Sequence, residues 1–168
     1  MKSRWDRHEE STGRFRAQLH DAFDSNTQMY EQVGAALARW LESKPGRPRV
    51  LVVEDNLALL EHYRRSLADV CDTLLAIDGE EAYDLLAATR TLDLAILDLK
   101  LPRGNGFAVA KQIRERWRET PVPILVVSGF LSDDTREAFT RLGEPVEFFD
   151  KPPENVEDFA RKIKHRIP

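Results

Sequence analysis

The sequence contains very little cysteine and no long hydrophobic run, and these two absences exclude several classes of protein. Cys71 is the single cysteine among 168 residues, which excludes an internal disulfide and fits a reducing compartment. No apolar stretch approaches the roughly 18 residues that a membrane-spanning helix needs. The charged residues that follow Met1 do not form the core of a signal peptide. We therefore expect a cytoplasmic protein that does not insert into a membrane.

The sequence also lacks a strong net charge. Its 25 basic and 29 acidic side chains give a formal charge of -4, which is too mild to attract a polyanion. The basic residues near the N-terminus are offset by nearly as many acids, so we expect no nucleic-acid partner. The 42% of hydrophobic residues are dispersed along the chain, as in globular proteins. The length suits one ordinary domain with an additional segment.

The composition changes at residues 44–48, where two prolines flank a glycine and no helix can continue. This linker divides the chain into an N-terminal helical extension, residues 1–47, and a domain formed by residues 48–168. In that domain short β-branched runs alternate with helical patterns, which is typical of an α/β fold with a parallel, doubly wound sheet. Strands are expected near 49–54, 72–76, 93–98, 122–127 and 145–149, and helices near 57–69, 79–90, 105–118, 133–142 and 154–166.

Polar residues follow four of the apolar runs at the point where each run ends. Glu54 and Asp55 follow the first run, Asp98 ends another, Ser128 ends the next, and Lys151 follows the last. Because right-handed crossovers place all the strand-to-helix loops along one edge of a parallel sheet, we expect these side chains to share a rim.

Three carboxylates that meet at such a rim repel one another unless a cation lies among them. Oxygen-rich sites of this kind favour Mg²⁺, with Mn²⁺ as a substitute. An ionised Asp98 is a suitable nucleophile for a phosphoryl group, whose oxygens Ser128 and Lys151 can neutralise. Each residue alone is explained more readily as a helix cap, a loop hydroxyl or a solvated charge. Their joint occurrence at successive strand ends favours phosphoryl transfer.

The motifs that carry these residues resemble those of a known family, the receiver domains of bacterial two-component response regulators. The resemblance covers residues 48–167. It implies a flavodoxin-like sheet with strand order 2-1-3-4-5. The motifs are Val52-Val53-Glu54-Asp55-Asn56, Leu97-Asp98-Leu99-Lys100-Leu101-Pro102 with Gly106, Val127-Ser128-Gly129, and Phe149-Asp150-Lys151-Pro152.

The resemblance implies a role for each acidic residue. Asp98 is the expected phosphoacceptor, supplied by the phosphohistidine of a histidine kinase or a histidine phosphotransfer protein. Asp55 and Asp98 are expected to bind Mg²⁺ directly, and Glu54 is the second acidic position. Lys100 is expected to contribute its backbone carbonyl to the metal.

The remaining motif residues are expected to bind and report the phosphoryl group. Ser128 and Lys151 would bind its oxygens, and Phe148 matches the aromatic that rotates inward when Ser128 moves. The resemblance also implies a cis Lys151-Pro152 bond and a tight turn at Gly106. The bulk of Lys100 and Phe130 predicts a long-lived phosphorylated state, because both would shield the acyl phosphate from water.

The function expected from these residues is that of a stand-alone response regulator. It would accept a phosphoryl group on Asp98 and signal to a downstream protein target, without being a turnover enzyme. The alternative is a phosphorylation-independent module with a receiver-like fold, used for binding or dimerisation. An aspartate-nucleophile phosphatase is rejected, because Lys100 stands where that class needs a second Asp.

Residues 8–43 carry an apolar stripe at helical spacing, for which two structures and two partners remain open. Leu19, Asn26, Val33 and Trp40 lie seven residues apart. Asn26 would set the register of one long helix in a coiled coil, or mark the break in a helical hairpin. The stripe would pair in a homodimer or pack on the chain's own sheet, and we favour the homodimer.

Overall fold

A parallel β-sheet with helices on both faces forms the centre of the computed structural model, which describes residues 28–129 and 131–151. No helix within those ranges has the length and hydropathy that crossing a bilayer requires. The elements are α1 (Gln28–Leu41), β1 (Arg49–Val53), α2 (Leu57–Leu67), β2 (Asp72–Ala76), α3 (Gly79–Ala88), β3 (Leu94–Leu97), α4 (Gly106–Arg116), β4 (Ile124–Ser128), α5 (Asp133–Leu142) and β5 (Val146–Asp150).

The sheet has the strand order β2-β1-β3-β4-β5 and every pairing is parallel, which confirms the predicted fold class and order. All residues of β3 and β4 are buried, since helices cover both faces of the central strands. β2 and β5 lie at the two edges of the sheet and are only partly buried. The helix predicted over 154–166 and the Lys151-Pro152 bond lie outside the described residues.

Side-chain caps determine where four of the helices begin. In α2, α3, α4 and α5 the residue before the helix accepts a hydrogen bond from a backbone N–H three residues ahead, which satisfies a donor that the helix itself leaves free. The capping residues are Asn56, Asp78, Asn105 and Ser132. Both bounds of each of these four helices lie within two or three residues of those expected from the sequence.

Helix α1 packs on the sheet of its own chain. Its apolar side is buried in one core with residues of β1, β3, β4, β5 and α2, while a second core fills the space between the sheet and α3, α4 and α5. The buried residues of α1 are Met29, Val33, Ala36, Leu37, Ala38 and Leu41.

This packing corrects the preference for a homodimer as the partner of the stripe, as far as residues 28–41 are concerned. The sheet already covers that part of the stripe, because hydrophobic burial within the chain leaves no such surface for a second copy. A homodimer through the rest of the extension stays a prediction. The segment 8–27, and with it the choice between one helix and a hairpin, lies outside the described residues.

Replacing Leu37 with Ala tests whether α1 belongs to the core. Leu37 is 0% exposed, so the change is expected to lower the free energy of unfolding by about 3 kcal/mol, measured by urea denaturation. Gln32→Ala, at an exposed position of the same helix, is the control and should change it by less than about 0.5 kcal/mol. An unchanged stability for Leu37→Ala would contradict the packing of α1 on the sheet.

Candidate functional site

The carboxyl ends of β1 and β3 bring three carboxylates together at one rim of the sheet. One oxygen from each of Glu54, Asp55 and Asp98 lies within 4.8 Å of the others. Glu54 and Asp98 are buried, whereas Asp55 is exposed at the mouth of the site. The three groups lie close because β1 and β3 are neighbours, with Val53 in register with Leu97.

Lys151 places its ammonium group between two of these carboxylates. Its Nζ lies 2.7 Å from Oε2 of Glu54 and 2.7 Å from Oδ2 of Asp98. Burial opposes the charge on Lys151, but Asp98 and Glu54 outweigh that effect and raise its pKa above the usual value. The backbone N–H of Lys151 donates a hydrogen bond to the carbonyl of Ser128 at 2.9 Å. This bond to the end of β4 fixes the position of the Lys151 backbone.

One backbone N–H and the Lys151 ammonium group orient the Asp98 carboxylate. The N–H of Leu99 donates to Oδ1 of Asp98 at 2.7 Å, while Oδ2 accepts from Lys151. A role for Asp98 as a helix cap is excluded, because Asn105 caps the helix that follows. Asp55 does not cap α2 either, because Asn56 does. The two aspartates are therefore available for other chemistry.

Burial and a neighbouring carboxylate both disfavour the charged form of Glu54. Burial and the neighbouring Asp98 raise the pKa of Glu54 from 4.5 to about 7, and the opposing effects of Lys151 and of the Asn56 N–H are smaller. A divalent cation would relieve this repulsion. Clustered carboxylate oxygens are the donors that Mg²⁺ prefers, so these residues fit that ion.

Of three other residues expected at the site, the structure describes Ser128 and Lys100. Ser128 is buried at the end of β4, beside the start of the Lys151 backbone. Lys100 is exposed and forms an isolated bridge with Asn105. Phe130 lies outside the described residues.

Phe148 is partly buried and packs against the core beneath α5. Its ring packs edge-to-face on Phe139 with centroids 5.9 Å apart. The guanidinium of Arg136 lies 5.1 Å from the ring centroid, and the same side chain is 3.9 Å from the Asp150 carboxylate. The sequence interpretation missed Arg136, since nothing in its local pattern distinguishes it from other exposed helix cations.

Gly106 is required for close approach rather than for a turn, which corrects the reason expected for it. The positive φ in this loop belongs to Gly104, at +78°, and Gly106 begins α4. A Cβ on Gly106 would lie 2.1 Å from the backbone carbonyl oxygen of Asp98. The start of α4 therefore packs directly on the backbone of the proposed phosphoacceptor.

Gly106→Ala is expected to destabilise the protein, although replacing glycine with alanine in a helix usually stabilises it. Alanine ordinarily stabilises a helix by about 0.5 to 1 kcal/mol, but here the clash is expected to lower the free energy of unfolding by about 1 to 3 kcal/mol. Urea denaturation measures the change. Lys111→Ala on the exposed face of α4 is the control. A more stable Gly106→Ala variant would contradict the close approach.

Glu54→Gln is expected to stabilise the metal-free protein at pH 8. Because the pKa of Glu54 is raised to about 7 on folding, its contribution favours folding below pH 4.5 and is lost as the pH rises through 7. The variant should exceed wild type by about 1 to 3 kcal/mol at pH 8 and by much less at pH 5. Urea denaturation in the presence of a chelator measures this.

The matched control for that comparison is Glu119→Gln, since Glu119 is exposed. Its stability should follow that of wild type at both pH values. A Glu54→Gln variant less stable than wild type at pH 8 would mean that the Lys151 ion pair outweighs burial and repulsion.

Curated relatives resemble about half of the chain. The transcriptional regulatory protein CiaR of Streptococcus pneumoniae is 41% identical over 86 residues, which are 51% of this chain and 38% of that protein. The response regulator MprA of Mycolicibacterium vanbaalenii is 38% identical over 86 residues, 51% of this chain and 37% of its own length. The chain thus spans well under half the length of these relatives.

Solved structures agree with the fold. The non-phosphorylated HemR receiver domain of Leptospira biflexa superposes with a TM-score of 0.56 at 30% identity, covering 71% of this chain and 93% of that one. The chemotaxis protein CheY4 of Vibrio cholerae gives a TM-score of 0.56 at 24% identity, with 73% and 100% coverage, which shows the fold alone.

A family-wide comparison covers more of the chain than any of these curated relatives. The sequence model of the family described as "Response regulator receiver domain" matches residues 50–162. That range contains strands β2 to β5, all of β1 except Arg49, and the charged rim at the carboxyl ends of the strands. The chain belongs to the response regulator receiver family of two-component signalling.

Proposed function

We propose that this chain accepts a phosphoryl group on Asp98 in a Mg²⁺-dependent reaction and signals through protein–protein interaction. The observation that carries the proposal is the position of Lys151, whose Nζ lies 2.7 Å from an oxygen of Asp98 within a cluster of three carboxylates. A lysine is thereby placed where the oxygens of a transferred phosphoryl group would arrive.

The donor in this proposal is the phosphohistidine of a histidine kinase or a histidine phosphotransfer protein. An oxygen of the Asp98 carboxylate attacks phosphorus, the P–O bond forms, and the P–N bond breaks with its electron pair returning to the imidazole. Lys151 then neutralises charge on the phosphoryl oxygens, and the Ser128 hydroxyl donates a hydrogen bond to one of them. The Leu99 N–H holds the carboxylate in a fixed orientation throughout.

Glu54, Asp55 and Asp98, with the backbone carbonyl of Lys100, would hold the Mg²⁺ ion. Bound there, the ion supplies positive charge that offsets the repulsion among the carboxylates and the phosphoryl oxygens. The closeness of the three carboxylates supports this assignment, and the raised pKa of Glu54, caused first by burial and then by Asp98, agrees with it. Mn²⁺ would substitute for Mg²⁺ at the same oxygen donors.

The readout of phosphorylation in this proposal is a rearrangement of Ser128 and Phe148. Movement of Ser128 towards the phosphoryl group would free space into which the Phe148 ring rotates. That rotation would release the contacts of the ring with Phe139 and Arg136, both on α5. The surface of α5 and β5 would then change shape, which suits recognition by a downstream protein.

The chain would act in the cytoplasm as a stand-alone regulator that is not a turnover enzyme. Its exposed Lys100, beside the phosphoacceptor, supports a slow loss of the phosphoryl group to water. The second candidate function is a phosphorylation-independent module for binding or dimerisation. One observation favours this second function: helix α1, which lies outside the residues matched by the family model, is buried in the core.

Intact mass after incubation with acetyl phosphate and Mg²⁺ tests the proposed function. Wild type is expected to gain one phosphoryl group, about 80 Da, because Asp98 is the oriented nucleophile. Asp98→Asn should gain nothing, and neither protein should gain mass when a chelator replaces the metal. The matched control is Asp93→Asn, in the segment before β3, which should be phosphorylated like wild type.

The same experiment separates the two candidate functions. Absence of a mass gain in wild type with metal present would sink the phosphoacceptor proposal in favour of the independent module. An equal gain in Asp98→Asn would place the modification on a different residue.

A further inference from the structure

The strand that directly precedes Lys151, β5, lies at an edge of the sheet. β5 pairs with β4 alone, and only one of its residues is fully buried. Lys151 follows directly after β5, with its N–H bonded to the Ser128 carbonyl. An edge strand held by one ladder opens more readily than a central strand. The position of the Lys151 ammonium therefore depends on whatever else holds β5 in place.

Side chains on β5 alternate between the two faces of the sheet. Val146 and Phe148 pack in the core beneath α3, α4 and α5. Phe149 is buried in the other core, together with α1. Glu147 lies on that same face, where Arg39 and Trp40 of α1 reach its carboxylate. Helix α1 is thus the element that faces β5 on the side of Glu147.

The Glu147 carboxylate accepts hydrogen bonds from two adjacent side chains of α1. Nη2 of Arg39 lies 2.5 Å and 2.6 Å from its two oxygens, and Nε1 of Trp40 lies 2.6 Å from Oε2. Glu147 is half-buried, with a side chain 32% exposed. Charge-assisted bonds are stronger than neutral ones, and a half-buried indole donor is less screened than an exposed ion pair.

We propose that Glu147 is a positioning residue through which helix α1 holds β5, so that Lys151 reaches Asp98. The inference rests on the proposed function, in which Lys151 binds the phosphoryl group. From Glu147 only three residues of extended backbone lead to Lys151, and their register with β4 runs to Ser128. Helix α1 lies before the residues that the family model matches. In this proposal it nevertheless helps to position a residue of the phosphoacceptor site.

The coupling also operates in the opposite direction. If the α1 contact stabilises the position of Lys151 that binds a phosphoryl group, phosphorylation must strengthen that contact by the same free energy. Trp40 would report this change, because its indole N–H is one of the donors to Glu147. Helix α1 then senses the phosphorylation state from the face of the sheet opposite Phe148.

The test compares the full chain with Glu147→Gln, which retains the shape of the side chain and removes its charge. The matched control is Glu137→Gln, whose carboxylate pairs with Arg141 one turn further along the exposed surface of α5. Two quantities are measured at saturating Mg²⁺ and below the melting temperature of every variant. They are the rate of phosphorylation by acetyl phosphate, and hydrogen exchange of the Lys151 amide without a phosphodonor.

Glu147→Gln is expected to slow phosphorylation by about tenfold, because small displacements of a catalytic group have effects of that size. Exchange of the Lys151 amide should accelerate by a similar factor, while both quantities in Glu137→Gln should match wild type. Trp40→Phe removes one donor and should give a smaller change of the same sign, so it replaces Glu147→Gln if that variant does not fold. The Trp40 indole N–H resonance of wild type should shift on phosphorylation.

Wild-type values for both quantities in Glu147→Gln would overturn the proposal, even with a lowered melting temperature, since a merely structural contact changes stability alone. Failure of the proposed function gives a different result, which is absence of phosphorylation in wild type. The exchange of the Lys151 amide then decides the positioning role by itself. Acceleration in Glu147→Gln supports the role, and unchanged exchange overturns it.

Discussion

Mutual repulsion among three carboxylates at one rim of the sheet is the constraint on which the rest of the site depends. Glu54 and Asp98 are buried, and a single ammonium group, that of Lys151, lies between them. Burial, and after it the neighbouring Asp98, raise the pKa of Glu54 to about 7 despite this ammonium group. Both effects make the charged, metal-free site unfavourable, and a bound divalent cation would offset them.

The backbone around Asp98 is arranged so that this repulsion does not displace the carboxylate. Leu99 donates its N–H to one carboxylate oxygen, and the start of α4 packs against the Asp98 carbonyl at Gly106. Leu99 follows shortly after β3 and Gly106 begins the next helix, so both contacts come from the same strand-to-helix connection as Asp98. The orientation of Asp98 is a local property, whereas its partner Lys151 comes from the far edge of the sheet.

Helix α1 connects that edge to the rest of the molecule. It fills the space beside α2 on one face of the sheet and meets β5 at Glu147, whereas Phe148 and Arg136 lie on the opposite face. β5 therefore has a contact on each face that a change at Lys151 would disturb. This arrangement places the proposed readout on α5 and a second responsive element on α1.

Periodicity and strand-end chemistry in the sequence determined the α/β class, the bounds of most elements and the residues at the rim. These features are local, since a buried strand, a capped helix and a polar strand end each have their own pattern. The strand order came from the family resemblance and is confirmed. Only the tertiary structure decided that α1 packs on its own sheet and that Glu147 meets Arg39 and Trp40. Residues 108 positions apart meet through packing, and no local pattern specifies such a partner.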